Sequence, residues 1–139
     1  MAEQIIEVAA GLIFRGGKLL ITQRYPDAHQ GGLWEFPGGK RDPHETFEAC
    51  LVRELREELG IEVDVHETID TIVHVYPERT VMLKFIRCTW RQNAPRALGC
   101  PDFRWVTRKE LDDYEFPAAD ARLLARLRNG DALWNDQFV

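Results

Sequence analysis

Two hydrophobic periods alternate along this chain, one near two residues and one near 3.6, and the switches between them mark its elements. Residues 4–14 are β-rich and mostly apolar, as in a strand buried on both faces. A tight turn at Arg15-Gly16-Gly17-Lys18 and a second apolar run at 19–24 predict a hairpin. Residues 25–33, polar and carrying Pro26, Gly31 and Gly32, predict an irregular loop of a length that usually serves a function. Trp34 to Pro37 then leads into a glycine turn. From Phe47 the period lengthens: Phe47, Leu51, Leu55 and Leu59 recur four apart with Val52 beside them, which predicts an amphipathic helix of about three and a half turns. Thr46 offers it an N-cap hydroxyl and Gly60 a C-terminal stop.

Beyond the helix, residues 61–76 alternate loosely and predict one strand or two, kinked near Glu67. Pro77-Glu78-Arg79 turns the chain, and 81–90 predicts a strand paired back on 68–76. After a loop at 91–101 come a short strand at 103–106, a capping box from Thr107 to Glu110 and a last helix. That helix has Pro117 in its first position and runs through Leu123, Leu124 and Leu127 to Asn129-Gly130. The tail 131–139, with Trp134 and Phe138, packs either on the domain or on a partner subunit. Strands and helices mix without βαβ regularity, so the class is α/β with a mixed sheet.

The helix carries the chemistry. Glu54, Glu57 and Glu58 lie at i, i+3 and i+4, where their side chains can converge on one point. Like charges at that spacing destabilise a helix by a few tenths of a kcal/mol per pair, and a divalent cation removes the penalty. A small cluster of hard oxygen ligands suits Mg²⁺, or Mn²⁺, rather than zinc. The bland alternative is a solvated acidic face. Arg53 is a structural partner for these acids, with Glu57 at i+4 and Glu45 just before the helix.

Composition narrows the setting. With 139 residues, 45% of them hydrophobic and 29% charged, one domain with a sizeable core is expected. No apolar run reaches the length of a membrane span and the opening Met-Ala-Glu-Gln lacks a basic signal-peptide start, so a cytoplasmic location is expected without a membrane partner. The cysteines Cys50, Cys88 and Cys100 have no metal-site spacing and read as small buried hydrophobes. A net charge of −5 argues against a duplex nucleic-acid surface but not against a nucleotide held through a metal.

Read in full, the stretch 39–61 is Gly39, five residues, Glu45, seven residues, Arg53-Glu54-Leu55, one residue, Glu57-Glu58, one residue, Gly60-Ile61. It resembles the Nudix box, G-x5-E-x7-R-E-U-x-E-E-x-G-U with U a bulky aliphatic, at every fixed position. The resemblance implies a Nudix fold over residues 1–139, an α/β/α sandwich around a mixed sheet. It implies Glu57 and Glu58 as metal ligands and Glu54 as a ligand that also polarises the attacking water. The backbone carbonyl of Gly38 completes the shell, and Gly39, Glu45, Arg53 and Gly60 have structural parts. Many nucleotide-cleaving members carry a further acid in the loop before the penultimate strand. Here the matching position is near Gly99, with no acid until Asp102, so either Asp102 or water takes that place or catalysis depends wholly on the acids of the helix.

Other segments, among them 21–24, 33–39, 76–79 and 115–120, resemble the MutT-type branch, which removes pyrophosphate from nucleoside triphosphates, including oxidised dGTP. The implied substrate is a nucleotide, and the chain a monomer or weak homodimer. Arg24 reads as a phosphate clamp or as a surface arginine, and His29 as a bond to phosphate or sugar or as an exposed loop residue. Phe36 and Arg79 border the base, unless Phe36 belongs to the core. Asp120 replaces the asparagine of a purine-specific relative; an ionised Asp only accepts hydrogen bonds, which suits guanine donors or the amine of cytosine. Hydrolysis of 8-oxo-dGTP is therefore the leading expectation, and CTP or a modified dCTP the second. A non-catalytic 8-oxoguanine-reading module is a third, disfavoured because every acid of the box is present and no glycosylase is attached.

Overall fold

The computed structural model describes residues 5–134. Its central strand is β1 (Ile5–Arg15), whose alternate side chains enter two different cores. Ala10, Leu12 and Phe14 face one, Ala9 and Ile13 the other, as an apolar run without polar alternation requires. Along one edge β1 pairs parallel with β6 (Thr80–Gln92), from Ile5 opposite Thr80 to Ile13 opposite Cys88. Along the other it meets β4 (Gly38–Lys40) at 8–10 and β2 (Lys18–Gln23) only at Phe14–Leu19 and Arg15–Lys18. The expected hairpin is thus confined to its tip. The rest of β2 pairs with β3 (Trp34–Glu35) and β7 (Phe103–Thr107), and β5 (Glu62–Val75) closes the far edge against β6. One parallel pair among antiparallel ones makes the sheet mixed.

Helix α1 (Phe47–Leu59) covers one face with Cys50, Leu51, Leu55 and Leu59 fully buried. Helix α2 (Ala121–Asn129) and the 3₁₀ turn Glu110–Asp113 cover the other with Leu111, Leu123, Leu124 and Leu127. All three cysteines are free and buried. Both caps of α1 form as expected: the Thr46 hydroxyl accepts from Ala49 N at 3.0 Å, and Gly60 is left-handed at φ 70°. Thr107 and Glu110 make a reciprocal capping box. The kink in β5 falls at register shifts between Val65 and Asp70.

Three boundaries differ from expectation. Gly38-Gly39 is strand rather than turn, because β1 supplies an edge for it. Strand β6 continues to Gln92, carried by the length of β5. Pro117 precedes a 3₁₀ turn, Ala118–Asp120, and α2 begins only at Ala121. Trp134 packs back on the domain, edge-on to Phe14 at 5.2 Å with Nε1 donating to Leu127 O at 2.7 Å. Phe138 lies outside the described residues. No helix among the described residues is long and apolar enough to cross a membrane.

Thr46→Ala should lower stability by about 1 kcal/mol, the usual value of an N-cap, and Thr46→Ser should restore it, both read from urea unfolding midpoints.

Candidate active site

Glycine sets how closely α1 approaches the sheet. A Cβ at Gly38 would lie 1.9 Å from Ala9 O, and one at Gly39 would lie 2.3 Å from Glu54 Cδ. Neither position tolerates a side chain as it stands. Gly39 is therefore the floor on which the Glu54 carboxylate rests.

Arg53 organises the acids around it. Its guanidinium donates to Glu45 through Nε at 3.1 Å and Nη2 at 2.6 Å, to Lys40 O at 3.2 Å, to Glu54 at 3.0 Å and to Glu57 at 3.3 Å. Held by Arg53 and by the amide of Asp42, the Glu45 carboxyl titrates down at about 2. Glu57 stands 61% exposed and Glu54 only 19%. Glu58 turns inward, where burial first and the charge of Glu35 second push its carboxyl up to about 8. Burial also raises the Glu54 carboxyl, against the pull of Arg53.

The three box acids do not converge on one point as their spacing suggested. Among the described residues, no three acidic, histidine or cysteine side chains are gathered closely enough to enclose an ion. Arg53 draws Glu54 and Glu57 to its own guanidinium, while Glu58 is half-buried with Oε1 turned away from solvent. The donor set nonetheless fits a hard divalent cation. All its side-chain atoms are carboxylate oxygens, and Glu58 Oε1 is buried with no hydrogen-bond partner.

Beside this acidic face opens a cavity of ≈ 240 Å³ that brings together Gly38, Gly39, Arg24, His29, Phe36, Arg79 and Asp120. Its walls include Ile6, Val8, Val81 and Leu83 from the face of β1 and β6 opposite α1. Arg24 is no loose surface arginine. Nε donates to His29 O at 2.6 Å and Nη1 to Glu35 at 2.8 Å. Phe36 is core and wall at once, 3% exposed, stacked on Phe116 at 5.2 Å and edge-on to Phe85 at 5.8 Å. His29, far from a freely exposed loop residue, has only 15% of its side chain accessible, with Nδ1 at 2.9 Å from Glu78.

Asp120 is 4% exposed, and burial first, then the Glu35 charge, push its carboxyl up to about 8 against the pull of Arg24. It therefore carries a proton near neutral pH. A protonated carboxyl donates as well as accepts, so this site can meet a carbonyl edge much as an amide would.

Glu35 and Tyr76, which line the cavity, and Glu78, which meets His29, are residues that sequence reasoning did not single out. An acid between the aromatics Trp34 and Phe36, next to two glycines, was the available signal for Glu35. Asp102 accepts from Phe103 N at 2.8 Å and from Arg104. Near Gly99 the loop packs on the box helix through its backbone, with Leu98 N and Gly99 N both donating to Glu58 O.

A mixed sheet between helices is an arrangement shared with known proteins. Residues 9–126 match the model of the NUDIX domain, and the chain belongs to that family. It is 54% identical over 121 residues to the CTP pyrophosphohydrolase of Escherichia coli K12, covering 87% of this chain and 90% of that protein. It is 40% identical over 101 residues to the 8-oxo-dGTP diphosphatase of Proteus vulgaris, covering 71% and 90%. A solved structure from work on the MutT proteins of Aliivibrio salmonicida and Vibrio cholerae superposes with a TM-score of 0.75 at 28% identity, covering 90% of this chain and 97% of that one. Within the family, the chain is a MutT-type Nudix hydrolase.

Two predictions arise from this geometry. Gly39→Ala should leave the fold intact by circular dichroism yet lower turnover at least about tenfold, since the added methyl must displace the Glu54 carboxylate. Asp120 binds its proton more tightly folded than unfolded, so its burial destabilises the protein increasingly as pH rises from about 4 to about 8. Asp120→Asn should raise the melting temperature relative to wild type at pH 8.5, and the difference should shrink towards pH 4.

Proposed function

We propose that this chain, acting as a single Nudix domain, hydrolyses a nucleoside triphosphate to the monophosphate and pyrophosphate with Mg²⁺, or Mn²⁺, as cofactor. The observation that carries this reading is the junction of the two features: the strand Gly38–Lys40 borders both the carboxylates of α1 and the cavity holding Arg24 and Asp120. A phosphate chain on that strand leaves its nucleoside end in the cavity.

Glu54, Glu57, Glu58 and the Gly38 carbonyl would hold the ion. When bound, it neutralises phosphate charge and lowers the pKa of a water for attack on phosphorus. Glu54, with its proton affinity raised by burial, is the acid suited to take a proton from the attacking water. Arg53 fixes Glu54 and Glu57, and Glu45 in turn fixes Arg53. Arg24, anchored by Glu35 and His29 O, offers a preorganised positive charge to the phosphates. Phe36 and Arg79 border the base, and protonated Asp120 offers it both a donor and an acceptor.

Two bases suit that recognition. Oxidised guanine, the base named for the Proteus relative, presents carbonyl and N–H groups together; cytosine, named for the Escherichia relative, presents an amine beside a ring acceptor. The 54% identity favours the second reading. Pyrophosphatase-coupled phosphate release from 8-oxo-dGTP, dGTP, CTP, 5-methyl-dCTP and ADP-ribose ranks them. Turnover of 8-oxo-dGTP, CTP or 5-methyl-dCTP is expected, and a response to ADP-ribose alone would overturn the triphosphate assignment. Glu57→Gln should lower kcat on the order of a hundredfold or more with an unchanged melting temperature. Full Mg²⁺-dependent activity in that variant would remove Glu57 from the site.

A further inference from the structure

Arg41 stands at a position the box leaves open and no step of the reaction yet uses. It follows β4 directly, opposite Glu7 of β1, whose carbonyl oxygen accepts from Arg41 N at 2.9 Å. Its side chain is largely covered and reaches two ways. Nη2 donates to Glu7 Oε1 at 2.5 Å, while Nη1 donates to Glu45 O at 2.9 Å and to Asp42 O at 3.3 Å. The guanidinium also lies over the Phe47 ring, 5.1 Å from its centroid, and Lys84 Nζ stands 4.7 Å from the same centroid. Nε is buried with no hydrogen-bond partner among the described residues.

One planar group thus ties the central strand to the loop 42–45. Folding stability does not account for it, because a partly exposed ion pair contributes little and a buried unpaired N–H works against it. What the tie fixes is Glu45. The Glu45 carboxylate accepts from Arg53 at 2.6 and 3.1 Å and from Asp42 N at 3.0 Å, so its aim depends on where its own backbone stands. Arg53 in turn has Nη1 on Glu54 and Glu57. With Glu45 in place, much of the Arg53 charge is answered away from those two acids. With Glu45 displaced, Glu54 and Glu57 are left to neutralise the guanidinium, in competition with a cation. Bracing Glu45 keeps the carboxylates of α1 available.

We propose that Arg41, anchored by Glu7, is a positioning residue for the α1 carboxylates, acting through the backbone of Glu45 and through Arg53. This rests on the divalent-cation reading above. Lysine is a poor substitute, since its ammonium lacks the planar fork that spans Glu7 and the loop carbonyls.

The test has two arms. In the metal-free protein, NMR of the arginine side chains follows the Arg53 Nε–H. Arg41→Ala should speed its exchange with solvent about three- to tenfold as the hold of Glu45 loosens. Exchange at the wild-type rate overturns the inference, whatever the protein does with a metal. In the second arm, Mn²⁺ binding without nucleotide is followed by electron paramagnetic resonance, beside urea unfolding midpoints. Arg41→Ala should weaken Mn²⁺ binding about three- to tenfold, less than is usual for a group bonded directly to a ligand, with a midpoint close to wild type. Glu7→Ala should reproduce that loss, and Glu7→Gln, whose amide oxygen still accepts from Nη2, should keep the wild-type affinity. Glu45→Ala should lose more, and adding Arg41→Ala to it should cost nothing further. A lowered midpoint with unchanged Mn²⁺ affinity marks a purely structural clamp and overturns the inference, as does an additive loss in the Glu45→Ala background. If the wild type takes up no Mn²⁺, the cation of the proposed function falls, and the Arg53 arm still decides whether Arg41 holds the Glu45–Arg53 pair in place.

Discussion

Two glycines in one strand decide where the acids of the box helix can point. Gly38 lets β4 press on β1, and Gly39 leaves the room that the Glu54 carboxylate fills. With any side chain there, α1 would have to lift from the sheet or Glu54 would have to turn away. The buried leucines of α1 hold the helix down on the sheet, so apolar packing and the acidic surface are fixed by one placement. Arg53 then sets the order of the acids, because a single guanidinium serves Glu45, Glu54 and Glu57. This is how a helix tolerates so many like charges on one side.

A second group of charges continues from the box into the cavity. Glu58, Glu35 and Asp120 each have a raised proton affinity, and burial is the largest cause in all three. Glu35 raises both of the others and is itself paired with Arg24 at 2.8 Å. Glu58 of the box helix and Asp120 of the cavity therefore lie within the reach of one ion pair. In the proposed reading this acidic protein accepts a triphosphate here because the site presents a fixed Arg24, an acid of raised proton affinity in Asp120, and carboxylates suited to a cation.

Much of this was legible in the chain. The helix, both its caps, the capping box at Thr107 and the kink in β5 all follow from local chemistry, and the spacing of the box names the family. What was not legible depends on contacts distant in sequence. The parallel partner of β1 lies more than sixty residues away and leaves no local trace. His29 looks like an exposed loop residue until its ring is seen packed on Tyr76, and Asp120 looks like an ionised acid until its burial is known. Helical spacing alone suggests convergence of the three glutamates; Arg53 reads from the sequence as a partner of Glu45 and Glu57, and only the structure shows it bonding Glu54 as well.

The family relationship makes the chain a hydrolase of the MutT type, and in the proposed reading strand β4, between acids and cavity, orients a triphosphate with its nucleoside inward. Phosphorus NMR of the products formed with Mg²⁺, from the triphosphate turned over fastest, tests that orientation most directly. A nucleoside monophosphate with pyrophosphate is the predicted result; a nucleoside diphosphate with inorganic phosphate would contradict it.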